Sequence, residues 1–207
     1  MIEIAELAEQ ANLFVLSDEV YWNIIYESKH FSVSALDECR ERTILLNSLS
    51  KTFAMSGWRL GYAIGPEQLI EKMGLLLQTI LSCLPPFTQY GGAAVLEGGV
   101  SYSQEMVMTL KERRDLLVTE LNDIDGIHCS SPRGAFYAFP AVRHPGMTGF
   151  EYAERLLVDE GICLLPGSCF GDSSSEFVRL SYSGTPRDSI LEAMNRMKRF
   201  HVRHFCL

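Results

Sequence analysis

The feature that most narrows the fold of this chain is an alternation. Short unbroken apolar runs take turns with longer segments whose apolar residues recur every three or four positions. A run of four to six apolar residues is the profile of a strand covered on both faces, and the longer period is that of an amphipathic helix. Together they predict an α/β fold with a mostly parallel sheet. Residues 2 to 12 read as a helix, and Leu13-Phe14-Val15-Leu16-Ser17 as a strand buried on both faces that ends at Asp18-Glu19. Thr43-Ile44-Leu45-Leu46-Asn47-Ser48 repeats that profile, and Leu60 to Ile64 gives a third strand stopped by Gly65-Pro66. A helix then runs from Pro66 to about Cys83, where Pro85-Pro86 breaks it.

Beyond a charged helix spanning roughly Tyr102 to Asn122 the texture changes. Ile127 to Ser130, Ala135 to Pro140, Ile162 to Pro166 and Phe177 to Tyr182 read as four strands of a smaller sheet. Helices at Gly149 to Glu160 and Asp188 to about Arg203 interleave with them. The expected organisation is a first domain over residues 1–104, a connecting helix over 105–125 and a small domain over 126–207.

Composition excludes several classes. A net charge of −8 argues against a nucleic-acid protein, whose phosphate contacts need a basic surface. No stretch reaches the roughly 18–20 apolar residues of a membrane span. The acidic N-terminus does not read as a secretory signal. The six cysteines form no C-x-x-C pair, and those in apolar runs such as Gly161-Ile162-Cys163-Leu164 read as small buried hydrophobes. A reduced, cytoplasmic setting is expected. His201, His204 and Cys206 form an incidental terminal group, and no metal is expected.

The densest chemistry lies in Ser48-Leu49-Ser50-Lys51 and the following Gly57-Trp58-Arg59-Leu60-Gly61-Tyr62. Lys51 follows an apolar strand and is hemmed by Phe53, Met55 and Trp58. Such surroundings favour the neutral amine, the form able to condense with a carbonyl. The bland alternative is a lysine reaching out from a loop. Ser48, Ser50 and Arg59 around it suit a phosphate. Asp18, at the carboxyl end of an earlier strand, lies where α/β sheets place ligand-binding residues; as a helix N-cap it would do something else. Ser48-x-x-Lys51 also matches the motif of penicillin-binding enzymes, but no Lys-Thr-Gly accompanies it. No G-x-S-x-G, G-x-G-x-x-G or P-loop occurs.

These residues, with Asp18-Glu19-Val20-Tyr21, Pro132 to Pro140, Leu165-Pro166-Gly167-Ser168-Cys169-Phe170-Gly171 and Phe177 to Tyr182, resemble the class I/II aminotransferases. Those are pyridoxal-phosphate enzymes of fold type I. The resemblance covers essentially the whole chain and matches the C-terminal half of a family member about twice as long. It implies the remainder of a large cofactor-binding domain, with an incomplete, mostly parallel sheet, followed by a small α+β domain. It further implies that the phosphate-cradling loop, the ring-stacking aromatic and an asparagine of the full pattern would lie before Asp18.

By resemblance, Lys51 would form the Schiff base with pyridoxal phosphate and shuttle the α-proton. Asp18 would hold the pyridine nitrogen protonated, and Tyr21 would bond the ring's phenolic oxygen. Ser48 and Arg59, with Ser50 as a weaker candidate, would bind phosphate, and Arg179 would grip the substrate carboxylate. The implied activity is amino-group transfer between an amino acid and a 2-oxo acid, in a homodimer. Alternatives are a lyase on the same fold, a catalytically silent fragment, or one half of a split enzyme.

Overall fold

A computed structural model describes residues 1–144 and 146–205, leaving aside the side chains of Asp37 and Glu38. It divides into two compact units, Met1–Glu105 and Met106–Leu207. The first opens with α1 (Ile2–Gln10), β1 (Val15–Asp18), α2 (Asp37–Arg40), β2 (Thr43–Ser48), α3 (Leu49–Thr52) and β3 (Gly61–Ile64). α4 (Glu67–Leu81) and α5 (Pro86–Gly98) follow, and α6 (Gln104–Asn122) starts at the division. The second unit adds β4 (Ile127–His128), β5 (Tyr137–Ala138), β6 (Ala141–Val142), α7 (Gly149–Glu160), β7 (Leu165–Pro166), β8 (Val178–Ser181) and α8 (Arg187–Phe205).

In the first unit β2 is central, pairing parallel with β1 and antiparallel with β3. Its apolar run makes the strand, but the expectation of burial on both faces is corrected. Leu16 is 66% exposed and Ile64 59% exposed, while only Thr43 of β2 is fully buried. One face packs: Ala5 and Ala8 of α1 close on Val33 and Cys39, with Val15 against them. Strand pairing puts Leu16 on the opposite face, whereas Ile64 shares the Val15 face beyond the reach of that cluster, and both stay exposed. A hydrophobic run records what a strand prefers, and cannot supply the layer that satisfies it. α4 behaves the same way, with no buried residue and with Leu75, Leu76, Ile80 and Leu81 more than half exposed. As expected, the helix ends short of Pro85-Pro86. Pro86 then opens α5 at its first turn, where a proline's missing N–H costs nothing.

The second unit holds two small sheets rather than the single one expected. β4 pairs with β6, and β8 lies between β5 and β7, all antiparallel. β6 follows Pro140 so closely that its two residues leave no periodic signal. α7 matches the sequence reading because both of its ends are written locally. Thr148 and Glu151 form a reciprocal capping box, and Gly161 takes the left-handed conformation that ends it. Gly149 and Gly167 are needed for close approach: a Cβ at either would lie 2.2 Å and 2.7 Å, respectively, from the Phe177 carbonyl. Of the cysteines, Cys39 and Cys129 are buried, but Cys163 is exposed and Leu164 takes the inward position. Cys206 lies outside the described residues.

α7 and α8 are joined through a buried polar contact between the Tyr152 hydroxyl and His201 Nε2, 2.8 Å apart. Burial, reinforced by the neighbouring His144, lowers the His201 pKa to about 4. An exposed histidine titrates near ~6.5, so on acidification the unfolded chain takes up this proton first. The second unit is therefore predicted to hold its full stability above about pH 6.5 and to lose it as pH falls from there toward 4. Urea unfolding across that range checks this, with His201→Gln expected to flatten the loss. An equal slope in both proteins would remove His201 as its cause.

Candidate active site

Parallel pairing places the carboxyl ends of β1 and β2 at one edge of the sheet, and the antiparallel β3 begins there. Asp18 is opposite Leu46, and Ser48 is opposite Gly61. The register thus sets Asp18 and Ser48 at one sheet edge; Ser50, Lys51 and Arg59 lie in the segment joining β2 to β3 there, and Tyr21 in the turn that leaves β1. Gly61 is required in this pairing, since a Cβ there would sit 2.7 Å from the Asn47 carbonyl.

Ser48 ends β2 and caps α3, its Oγ accepting from the Ser50 backbone N–H at 3.1 Å. The same Oγ lies 2.8 Å from Ser50 Oγ and 3.2 Å from the Leu60 carbonyl. Lys51 is half-buried in α3. Its expected apolar surround is only partly as read: Met55 is buried, whereas Trp58 is 45% exposed. The Trp58 ring lies against Gly91 of α5, where an added Cβ would come within 2.5 Å of it. Leu60 packs likewise on Gly92, so α5 holds the turn that carries Arg59.

Arg59 is exposed and adopts left-handed backbone angles (φ 54°, ψ 42°), unusual for a residue with a side chain. Its Nη1 donates to the Ser56 carbonyl at 3.0 Å. Asp18 is exposed and its Oδ1 accepts from the Val20 N–H at 3.3 Å, so the carboxylate closes a turn and caps no helix. Tyr21 is half-buried in that turn, which the Trp22 N–H closes onto the Glu19 carbonyl at 3.0 Å.

Arg179 belongs to the second unit, on β8, and is half-buried. Its guanidinium carbon sits 4.6 Å from the centre of the Tyr137 ring and 4.5 Å from that of Phe170. Two ring faces fix the plane of the guanidinium and leave its edge, with the paired N–H donors, for an anion. Both aromatics stand in motifs already marked out, but only the folded chain shows them flanking the arginine. A second cluster was missed by sequence reasoning: Glu19 is buried and accepts from Ser17, His30 and Ser32. Burial pushes its carboxyl up, but these hydrogen bonds outweigh that and hold it below the usual carboxylate range.

Comparison with known proteins now bears on this edge. Residues 2–197 match the family model for aminotransferase class I and II. An aspartate aminotransferase of Pyrococcus abyssi is 40% identical over 200 residues, 95% of this chain and 51% of that protein. The aromatic-amino-acid aminotransferase 2 of Thermococcus litoralis is 38% identical, over 95% of this chain and 51% of the relative. Among solved structures, an aromatic aminotransferase from Pyrococcus horikoshii matches with a TM-score of 0.93 at 38% identity, covering 99% of this chain and 55% of that one. The chain belongs to the class I and II aminotransferases, as the motif resemblance implied. It spans about half the length of the curated relatives it matches.

The family implies pyridoxal phosphate, and the residues at the sheet edge fit it. Two hydroxyls 2.8 Å apart and a guanidinium suit a phosphate, an amine suits a carbonyl, and a carboxylate suits a basic ring nitrogen. The Arg59 backbone allows this assignment to be separated from folding. Arg59→Gly should leave the thermal midpoint unchanged or raised, because left-handed strain of about 1–2 kcal/mol is relieved. Binding of pyridoxal phosphate should weaken about tenfold, as expected for one charge-assisted contact. Unaltered affinity in a fluorescence titration would take Arg59 out of the site.

Proposed function

We propose that this chain carries the cofactor-anchoring and carboxylate-binding residues of a pyridoxal-phosphate-dependent aminotransferase, moving an amino group between an amino acid and a 2-oxo acid. One observation carries the reading: strand register sets the end of β1, with Asp18, beside the end of β2 and the start of β3, and Lys51 and Arg59 lie in the segment that joins those two strands. When bound, pyridoxal phosphate supplies the carbonyl that captures the amino group and the ring that accepts electrons from the α-carbon.

The chain's own residues have distinct tasks. Lys51 Nζ would hold the cofactor and, when free, would take and return the α-proton. The Asp18 carboxylate holds a proton on the ring nitrogen, and the Tyr21 hydroxyl donates to the phenolic oxygen. Ser48, Ser50 and Arg59 hold the phosphate. Arg179 grips the α-carboxylate in two-pronged fashion and so selects which α-carbon bond stands perpendicular to the ring. Amine donors lacking that carboxylate would lose this contact. In this reading the first unit is the remainder of the large cofactor-binding domain and the second the small C-terminal domain. A homodimer in the cytoplasm is the proposed working form; among the described residues no helix is long and apolar enough to cross a membrane.

A second reading is favoured by the exposed apolar residues of β1, β3 and α4. In it the chain is silent by itself and active only when a partner polypeptide covers those faces. Absorbance titration with pyridoxal phosphate separates the two. A near-visible band that disappears in Lys51→Ala is expected under the first reading, and no Lys51-dependent band sinks it. Where the band forms, Arg179→Lys should raise the amino-acid concentration needed to bleach it by about tenfold or more, because an ammonium cannot reproduce a planar fork.

A further inference from the structure

We propose that Glu19 is a positioning residue for Tyr21 and Asp18, clasping the loop that carries Tyr21 onto the end of β1. The inference rests on the proposed function for its chemical meaning, and on separate geometry for its structural one. Glu19 follows Asp18 directly and is 8% exposed. Its Oε1 accepts from Ser17 Oγ at 2.9 Å and from Ser32 Oγ at 2.5 Å, and its Oε2 lies 2.6 Å from His30 Nε2. Ser17 belongs to the strand that carries Asp18, whereas His30 and Ser32 stand eleven and thirteen residues further along. One carboxylate therefore ties both ends of the 20–31 loop together.

What lies inside that loop gives the clasp its purpose. The turn holding Tyr21 starts at Glu19, whose carbonyl accepts from the Trp22 N–H, and continues as the Ile24 N–H bonds to the Tyr21 carbonyl at 2.9 Å. Ile24 is fully buried, and Asn23 Nδ2 donates to Ser103 Oγ at 2.7 Å, fixing the middle of the loop. At the far end His30 and Phe31 are exposed, and the next apolar anchor is Val33, buried just past Ser32. Glu19 adds a polar tie that joins this end to the strand carrying Asp18. A fourth side chain near it is Tyr62 of β3, whose phenol burial and the Glu19 charge push above its usual range. Ser32 serves a further role by capping the short helical turn Val33–Ala35, so the far end is itself rigid. A carboxylate with three donors and almost no solvent is built to stay ionised and fixed. It never needs to touch the cofactor to set where the Tyr21 hydroxyl and the Asp18 carboxylate point.

Two measurements on the full chain decide this. In hydrogen exchange without cofactor, Glu19→Ala should speed exchange of the amides from Val20 to Phe31 by about tenfold or more. The amides of α7 and α8 should keep their wild-type rates. Glu19→Gln retains an acceptor for Ser17 and Ser32 and should fall between. In the second measurement the Lys51-dependent cofactor band is titrated with pH. A Tyr21 hydroxyl bonded to the phenolic oxygen favours the deprotonated nitrogen, so loosening it should raise the midpoint by about half a unit in Glu19→Ala. Unchanged exchange overturns the clasp. Faster exchange with an unmoved midpoint overturns the positioning role and leaves Glu19 a loop fastener. Should the wild-type chain bind no cofactor, the proposed function fails, while the exchange measurement still passes judgement on the clasp.

Discussion

The pairing of β2 with a parallel neighbour on one side and an antiparallel neighbour on the other is the constraint on which the candidate site depends. Parallel strands share a carboxyl edge, and an antiparallel third strand must start at that same edge. Asp18 is distant in sequence from Ser48 and Arg59, and no local contact could bring it to them. The register does so with backbone hydrogen bonds. A slip of one residue between β1 and β2 would turn Asp18 to the opposite face of the sheet. Gly61 guards the other pairing, because any side chain there would press on the Asn47 carbonyl.

The arginine of the second unit is oriented by a different device. Arg179 sits on a four-residue strand flanked by strands of two residues, too short for register alone to define a side chain's direction. Aromatic stacking replaces length. Tyr137 arrives from β5 and Phe170 from the segment after β7, and Phe170 is itself steadied edge-on by Phe139, which stacks on Phe177. The glycines at 149 and 167 let the Ser175–Phe177 segment come close enough for this stack to form. Backbone economy and ring packing together fix one guanidinium plane.

Much of this was legible in the sequence because it is written locally. The capping box at Thr148 and Glu151, the glycine that ends α7 and the prolines between α4 and α5 each act over a few residues. The site motifs were legible for a related reason: Lys51, Ser48 and Arg59 lie within one turn-rich stretch, and Asp18 closes an apolar run. What was not legible depends on parts of the molecule distant in sequence. Whether Leu16 is covered depends on a layer the strand does not contain. Cys163 and Leu164 are both apolar, and only tertiary packing decides which one turns inward. α5 was hidden because its first proline reads as a breaker, and because Gly91 and Gly92, which lower helix propensity, serve Trp58 and Leu60 instead. The Glu19 cluster spans thirteen residues of loop, and no periodicity announces a hydrogen bond of that kind.

The backbone around Lys51 suggests how such a site tolerates its own strain. Ala54 and Arg59 both take left-handed angles, and between them the chain makes a tight reversal from α3 into β3. Glycine would adopt those angles freely, so an arginine at the second position is held against its backbone preference. The packing that holds it is visible: Leu49 is buried beneath, Met55 is buried beside it, and Trp58 and Leu60 are seated on the glycine face of α5. That apolar clamp offsets the strain, and it leaves the arginine's side chain exposed at the same edge as the two serines. The side chain, rather than the turn, is what glycine could not supply at this position.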